Sequence, residues 1–230
     1  MLIAMLLLIG AYLLGAIPFG LLIGRAHGID IRQRGSGNIG ATNAGRVLGR
    51  KWGLMCLALD LLKGLAPTLA AGWLLGLLWS THSIVDWPLE QRLSLWVAAG
   101  LAAVVGHVCP VYLGFRGGKG VSTTIGVALG IYPCFTFAMI VALAAYGVIR
   151  YATRTVSAGS IAIAVVFPAA LFAYTSATGL PVATGWPLHA TAIGLGLLIL
   201  VRHRSNIARL WSGTELRAPK SDDAASKNTE

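Results

Sequence analysis

Charge is scarce in this sequence. Only 11% of its 230 residues are Asp, Glu, Lys or Arg, against about a quarter in an ordinary soluble domain. With 56% hydrophobic residues, the composition excludes a water-soluble globular domain and points to a chain embedded in lipid. Cysteine is scarce too. Cys56, Cys109 and Cys134 stand in apolar surroundings without CxxC or Cys/His spacing, which argues against a zinc site or a disulfide framework and leaves them as core residues. No carboxylate cluster offers a home to a metal ion, and no cofactor is called for. The Walker A pattern GxxxxGK[ST] is absent, as is any internal repeat. The first 24 residues have neither a basic leading segment nor a small-residue cleavage site, so they predict a retained membrane helix and not a signal peptide.

What is present is a succession of apolar runs: Leu2 to Gly24, Trp52 to Trp79, Leu93 to Val108, Val121 to Tyr132, Phe135 to Ile149, Val156 to Tyr174 and Leu188 to Val201. A full span needs about 20 residues, and the fourth, fifth and seventh runs are short. Val121 to Ile149 could therefore merge into one helix kinked at Pro133, giving six spans and not seven. The basic residues decide. With seven spans, every Lys and Arg except Lys63 and Arg92 falls in Arg25 to Lys51, Arg116 to Lys119, Arg150 to Arg154 or the tail from Arg202, all on one face. Six spans would split these loops across both faces. The expectation is an all-α integral membrane protein with seven transmembrane helices, N-terminus outside and C-terminus cytoplasmic. Residues 1–217 are expected to form one domain, and Ala218 to Glu230, small, polar and charged, a disordered cytoplasmic tail. The net charge of +10 is spread over loops that flank apolar spans, where membrane lipids account for it, so no nucleic-acid partner is expected.

Three of these polar segments carry candidate chemistry. Gly35 to Arg46 reads GSGNIGATNAGR, and this alternation of glycine with Ser36, Asn38, Thr42, Asn43 and Arg46 suits an anion. Gly37 and Gly40 permit positive φ and close backbone approach, and Arg46 adds a phosphate fork. The alternative is a flexible interhelical loop. The segment Gly106 to Gly126 contains Arg116-Gly117-Gly118-Lys119-Gly120 ahead of Ser122, Thr123 and Thr124, so Lys119 and a helix N-terminus together make a second anion cradle. On the blander reading these charges only set topology. His107 is open between a structural hydrogen bond and a direct role. In Arg202 to Glu215, His203 and Asn206 share a helical face with Arg209 one turn on; the competing reading is a basic amphipathic cap on the headgroups. Glu215 can pair with a nearby arginine. Asp60 and Lys63 lie inside the second apolar run, where unpaired charge costs several kcal/mol. They form either a structural ion pair or part of the ligand site.

Together these segments resemble the acyl-phosphate:glycerol-3-phosphate acyltransferase family, PlsY. Ser36 to Arg46 matches that family's Ser-Gly-Asn-x-Gly-x-Thr-Asn-x-x-Arg, and Gly106 to Gly120 matches its Gly-His-x-x-Pro segment ending in Gly-Gly-Lys-Gly. His203 to Leu210 with Gly213 to Glu215 matches its third motif, and Asp60 to Gly64 is similar to its second helix. Arg116 stands where a lysine is common. The resemblance implies a cytoplasm-facing site that transfers an acyl group from acyl phosphate to the sn-1 hydroxyl of glycerol 3-phosphate, giving 1-acyl-glycerol 3-phosphate in phospholipid synthesis at the bacterial inner membrane. It also implies the catalytic set Ser36, Arg46, Lys119, His203 and Asn206. Substrate binding falls to Gly37, Asn38, Gly40, Thr42, Asn43, His107, Gly117, Gly118 and Gly120, and structural support to Asp60, Lys63 and Glu215. In this scheme loop Ser36 to Asn43 grips the donor phosphate, Arg46 and Lys119 neutralise charge, and His203 and Asn206 orient glycerol 3-phosphate. A monomer suffices. Gly118→Ala is expected mainly to raise the KM for glycerol 3-phosphate. The rival class is a membrane carrier of a phosphorylated metabolite, whose polar residues should gather at the bilayer midplane.

Overall fold

A computed structural model describes residues 1–79 and 82–216; the expected tail from Ala218 lies outside them. Every regular element among the described residues is helical: α1 (Leu2–Ala16), α2 (Phe19–Ala26), α3 (Ala41–Leu48), α4 (Arg50–Leu74), α5 (Leu89–Val108), α6 (Val121–Gly130), α7 (Cys134–Thr153), α8 (Val156–Thr178), α9 (Val182–Arg202) and α10 (Arg204–Trp211). Among the described residues six stretches are long and apolar enough to cross a membrane: α1 with α2, α4, α5, α7, α8 and α9. The fourth expected span is shorter than the other six. Tyr132 precedes Pro133, which disfavours helical backbone there, and α6 stops at Gly130 after ten residues, about 15 Å of helix. Merger with α7 is also excluded. The Thr136 hydroxyl reaches the Ala128 carbonyl at 3.2 Å, whereas eight residues along one helix cover about 12 Å, so the chain turns between α6 and α7.

The first span is broken. Ile17 is extended (φ −61°, ψ 119°) ahead of Pro18, because the proline ring clashes with helical backbone before it and removes an N–H. The break takes the Ile17 carbonyl out of the helical ladder, and it accepts instead the Phe19 N–H at 3.1 Å and Lys63 Nζ of α4 at 2.8 Å. Unpaired backbone groups are costly in lipid, so one proline in α1 creates a use for a buried cation in α4.

Glycine sets the helix spacing. A Cβ at Gly106 on α5 would lie 2.2 Å from the Tyr12 carbonyl oxygen on α1, and one at Gly126 on α6 would lie 2.0 Å from that of Leu61 on α4. Such close approach supplies van der Waals contact where lipid removes the hydrophobic drive between helices. The core, including Trp96, Val127, Phe135, Phe167 and Leu171, lies between these helices.

The two ends of the bundle differ. At one end Arg92 donates to the Leu75 carbonyl at 3.0 Å and Trp186 to Glu90 at 2.8 Å. At the other, Lys119 bonds Asn206, and Asn206 bonds Ser157 at the start of α8. The basic segments before α3, between α5 and α6, between α7 and α8, and after α9 therefore meet at that second end.

Candidate active site

Loop 1, residues 27–40, folds back over the first turn of α3. Asn43, 1% exposed, is the reason. Its Oδ1 accepts the Ser36 N–H at 2.8 Å, and its Nδ2 donates to the Ile31 and Arg34 carbonyls at 2.8 and 3.1 Å. One amide thus bonds three backbone groups of the loop, the Ser36 N–H and two carbonyls that also take the N–H groups of Arg34 and Gly37, and both of its amide hydrogens are used within the protein. Asn38 Oδ1 likewise accepts the Gly40 N–H at 2.8 Å, a tight Asx turn. Gly37 takes φ +69°, which a side chain would strain. Ser36, Thr42 and Arg46 are left exposed on the loop's surface.

Loop 2, residues 114–120, is built differently. α5 ends because Pro110 cannot extend it, and its last carbonyls lack helical partners. Those of His107 and Val108 accept the N–H groups of Gly118 and Gly117, both at 3.1 Å. The loop lies so close that a Cβ at Gly117 would fall 2.1 Å from the His107 carbonyl oxygen, and one at Gly118 would fall 2.1 Å from His107 Nε2. From the other side Arg202 donates through Nη2 to the Gly117 carbonyl at 2.9 Å and to that of Gly118 at 3.0 Å, with Nε on the latter at 3.2 Å. With these carbonyls held by Arg202, the first-turn N–H groups of α6 keep the unpaired, electropositive character of a helix start.

Behind loop 2 lies a buried charge cluster. Lys63 Nζ and Asp60 Oδ1 pair at 2.9 Å, the i,i+3 contact expected from the sequence, and His107 Nδ1 stands 3.7 Å from the same oxygen. Cys56 donates to Asp60 Oδ2 at 3.6 Å. All four side chains are buried. The cluster ties α4 to α5, and His107, resting on Gly118, carries that anchorage to the loop.

The third segment closes the site. Lys119 Nζ donates to Asn206 Oδ1 at 2.5 Å, and Asn206 Nδ2 donates to Ser157 Oγ and to Glu215 Oε1, both at 2.7 Å. Ser157 donates to the same Glu215 oxygen, and Arg209 Nε holds the other carboxylate oxygen at 2.8 Å. Burial disfavours charge on Glu215, but the hydrogen bonds from Ser157, Asn206 and Arg209 outweigh it and keep the carboxyl below its usual range. Burial pushes Lys119 down to about 8; Glu215 opposes the shift and the charges of Arg209, Arg46 and Arg202 add to it. Arg46 of α3 thus lies within electrostatic reach of Lys119. His203, 2% exposed, bonds the Ile199 carbonyl through Nδ1 at 2.8 Å. A carbonyl only accepts, so Nδ1 carries the proton. Burial, then the Lys119 charge, pushes the ring down to about 4, so at neutral pH Nε2 is a bare acceptor.

A family model described as Glycerol-3-phosphate acyltransferase matches residues 5–213. The chain belongs to that family. Proteins of the same name from Trichlorobacter lovleyi and Geobacter metallireducens are 44% and 47% identical to this acyltransferase over 206 and 218 residues, covering 90% and 94% of it and 93% and 98% of themselves. The crystal structure of PlsY, an integral membrane glycerol 3-phosphate acyltransferase, in its glycerol 3-phosphate form matches with a TM-score of 0.74 at 38% identity, over 94% of this chain and 96% of that one. The lysophosphatidic acid form of PlsY gives 0.71 at 37% identity, over 94% and 95%.

Against this frame, the acyltransferase brings Lys119 and Asn206 into direct contact and sets Arg46 and His203 within reach of the lysine's charge. Ser36 and Thr42 present their side chains outward, whereas Asn43 turns inward and braces the loop. The Asn43 amide expected to grip phosphate bonds the loop backbone, and the buried His107 packs beside Asp60 and Gly118, its Nδ1 making no hydrogen bond among the described residues. Two residues escaped the sequence reading. Arg202 counted there only as a tail charge, and its distance of one residue from His203 was the available signal. Ser157 gave no signal beyond a serine opening an apolar helix.

Proposed function

We propose that this acyltransferase uses acyl phosphate as donor, moving the acyl group to the sn-1 hydroxyl of glycerol 3-phosphate and releasing phosphate. The observation that carries the reading is Lys119, a partly buried cation bonded to Asn206, set among Arg46, Arg202, Arg209 and the first turn of α6. Such a concentration of positive charge and N–H dipoles suits two phosphorylated reactants held together. The hydroxyl oxygen attacks the acyl carbonyl carbon, the bond from that carbon to the phosphate oxygen breaks, and the electron pair leaves on phosphate. Ser36, Thr42 and the backbone of loop 1 hold the donor phosphate, with Asn38 and Asn43 fixing the loop's shape. Arg46 and Lys119 take up the negative charge. His203 and Asn206 orient glycerol 3-phosphate, and as the ester bond forms the proton of the attacking hydroxyl passes to the substrate's own phosphate. Gly117, Gly118 and Gly120 let glycerol 3-phosphate approach the backbone.

Residues 1–217 act as one domain and as a monomer in the bacterial inner membrane, with the acyl chain reaching the site laterally from membrane lipid. Because the loops before α6 and after α7 both bond or adjoin the segment after α9, the chain leaves and returns between them. The short α6 then counts as a seventh pass, and the basic end faces the cytoplasm with the N-terminus outside.

The test is to give purified protein glycerol 3-phosphate with acyl phosphate, acyl-CoA or acyl carrier protein separately. Acyl phosphate alone should yield 1-acyl-glycerol 3-phosphate, and Ser36→Ala and Arg46→Ala should nearly abolish it in folded protein. Product from acyl-CoA but not from acyl phosphate would overturn the donor assignment.

A further inference from the structure

We propose that Ser157 is a positioning residue for the acyl transfer described above, on which this inference rests: together with Glu215 its hydroxyl holds the Asn206 amide in place, and through that amide it holds Lys119. The argument is one of donors and acceptors. An amide has one accepting end and one donating end, and either can be turned toward a neighbour. Glu215, a carboxylate, can only accept. Ser157 has given its proton to Glu215, so toward Asn206 it presents only lone pairs. Both groups facing Asn206 are therefore acceptors, and the NH2 end must point at them, as the two 2.7 Å contacts record. That leaves Oδ1, and no other atom of the side chain, to receive Lys119 Nζ at 2.5 Å.

Ser157 is 6% exposed and Asn206 4%, so water has little access to replace the hydroxyl. Glu215 is held independently by Arg209, which keeps the carboxylate in place when the serine is changed. Removing the hydroxyl then strips Asn206 of one of the two acceptors that orient it and leaves an amide hydrogen unpaired. Lys119 loses a fixed partner while keeping its charge. Because Lys119 acts on charge that develops as phosphate departs, the loss should fall on the chemical step and not on substrate capture.

The experiment compares the full-length wild type with Ser157→Ala and Ser157→Cys, the latter keeping the side chain's volume with a far weaker hydrogen-bonding group. Rates are taken with glycerol 3-phosphate and acyl phosphate, and melting temperatures in the same detergent. Both variants should lose about tenfold in kcat, with the KM for glycerol 3-phosphate changed less than about threefold, as expected when a misplaced group is felt in the transition state. Melting temperatures should stay near wild type. A kcat within twofold of wild type in either folded variant overturns the proposal, as does a loss confined to KM. If the wild type itself makes no product from acyl phosphate, the donor reading fails and the same comparison, run with the donor it does accept, still decides for or against Ser157.

Discussion

The two glycine-rich loops do the same kind of work by different means. Loop 1 is braced mainly from within, since three of its backbone groups converge on Asn43 just past its end, with Ile31 and Ile39 packed on α2 and α4. Loop 2 is braced from outside, pressed between the end of α5 and Arg202, which lies 84 residues away from Gly118. A self-braced loop keeps its form as long as its own short sequence is intact. An externally braced loop depends on how three helices pack, so it reports on the assembly of the whole bundle. The geometry of loop 1 is thus largely a local property and that of loop 2 a tertiary one.

The sharpest way to break this contrast is Gly118→Ala. From the sequence the change should mainly have raised the KM for glycerol 3-phosphate, but an added Cβ would fall 2.1 Å from His107 Nε2. That ring is buried and held against Asp60, so the loop must move and not the histidine. Overpacking of this kind costs about 1–3 kcal/mol, and displacement of Lys119 comes on top. Turnover should fall by about 100-fold or more in kcat, with a lowered melting temperature, and a pure KM effect would show that the loop is more compliant than described. Asn43→Ala should be milder and strictly local. It strands the Ser36 N–H, while the Ile31 and Arg34 carbonyls keep the N–H groups of Arg34 and Gly37, so a stability loss of about 2 kcal/mol is expected, with a fall in kcat/KM smaller than that of Gly118→Ala. The melting temperature should move less than for Gly118→Ala. If Asn43→Ala proved the more unfolding of the two, the division into local and tertiary bracing would be wrong.

The same division explains what could be read from the chain in advance. Long apolar runs fix helices by composition, so six of the seven expected segments are long helices, with ends differing by a few residues. Their local interruptions were harder to see. Pro18 stood in plain view, yet its consequence, a freed Ile17 carbonyl for Lys63, depends on a helix some 45 residues on. The segment between the first two spans was expected to be loop throughout, but Ala41 to Leu48 forms α3, because Asn43 supplies the contacts that let it fold back. Within the site, the motifs marked Lys119 and Asn206 as polar residues near phosphate without saying that they touch. Ser157 and Arg202 were illegible because their partners are set by packing alone.

The smallest and most diagnostic prediction concerns pH. The first segment contributes the Arg46 guanidinium of α3, whereas loop 2 contributes Lys119, pushed down to about 8 by burial and by the charges of Arg209, Arg46 and Arg202 against the opposing Glu215. A lysine is useful to a phosphate only while protonated, so kcat/KM, which reports the free enzyme, should hold below pH 8 and fall above it. At pH 9 the loss should be about tenfold, following the protonated fraction of a single group. Bound phosphate adds negative charge beside the amine and raises its pKa, so the same limb in kcat should appear at higher pH. His203, pushed down to about 4, is neutral across this window and adds no limb between pH 6 and 9. Lys119→Arg should remove the alkaline limb, since guanidinium does not titrate there, while lowering the rate because a planar fork cannot reproduce the ammonium's single short contact with Asn206. An alkaline limb that survived in Lys119→Arg would place the titrating group elsewhere and return loop 2 to a purely structural role.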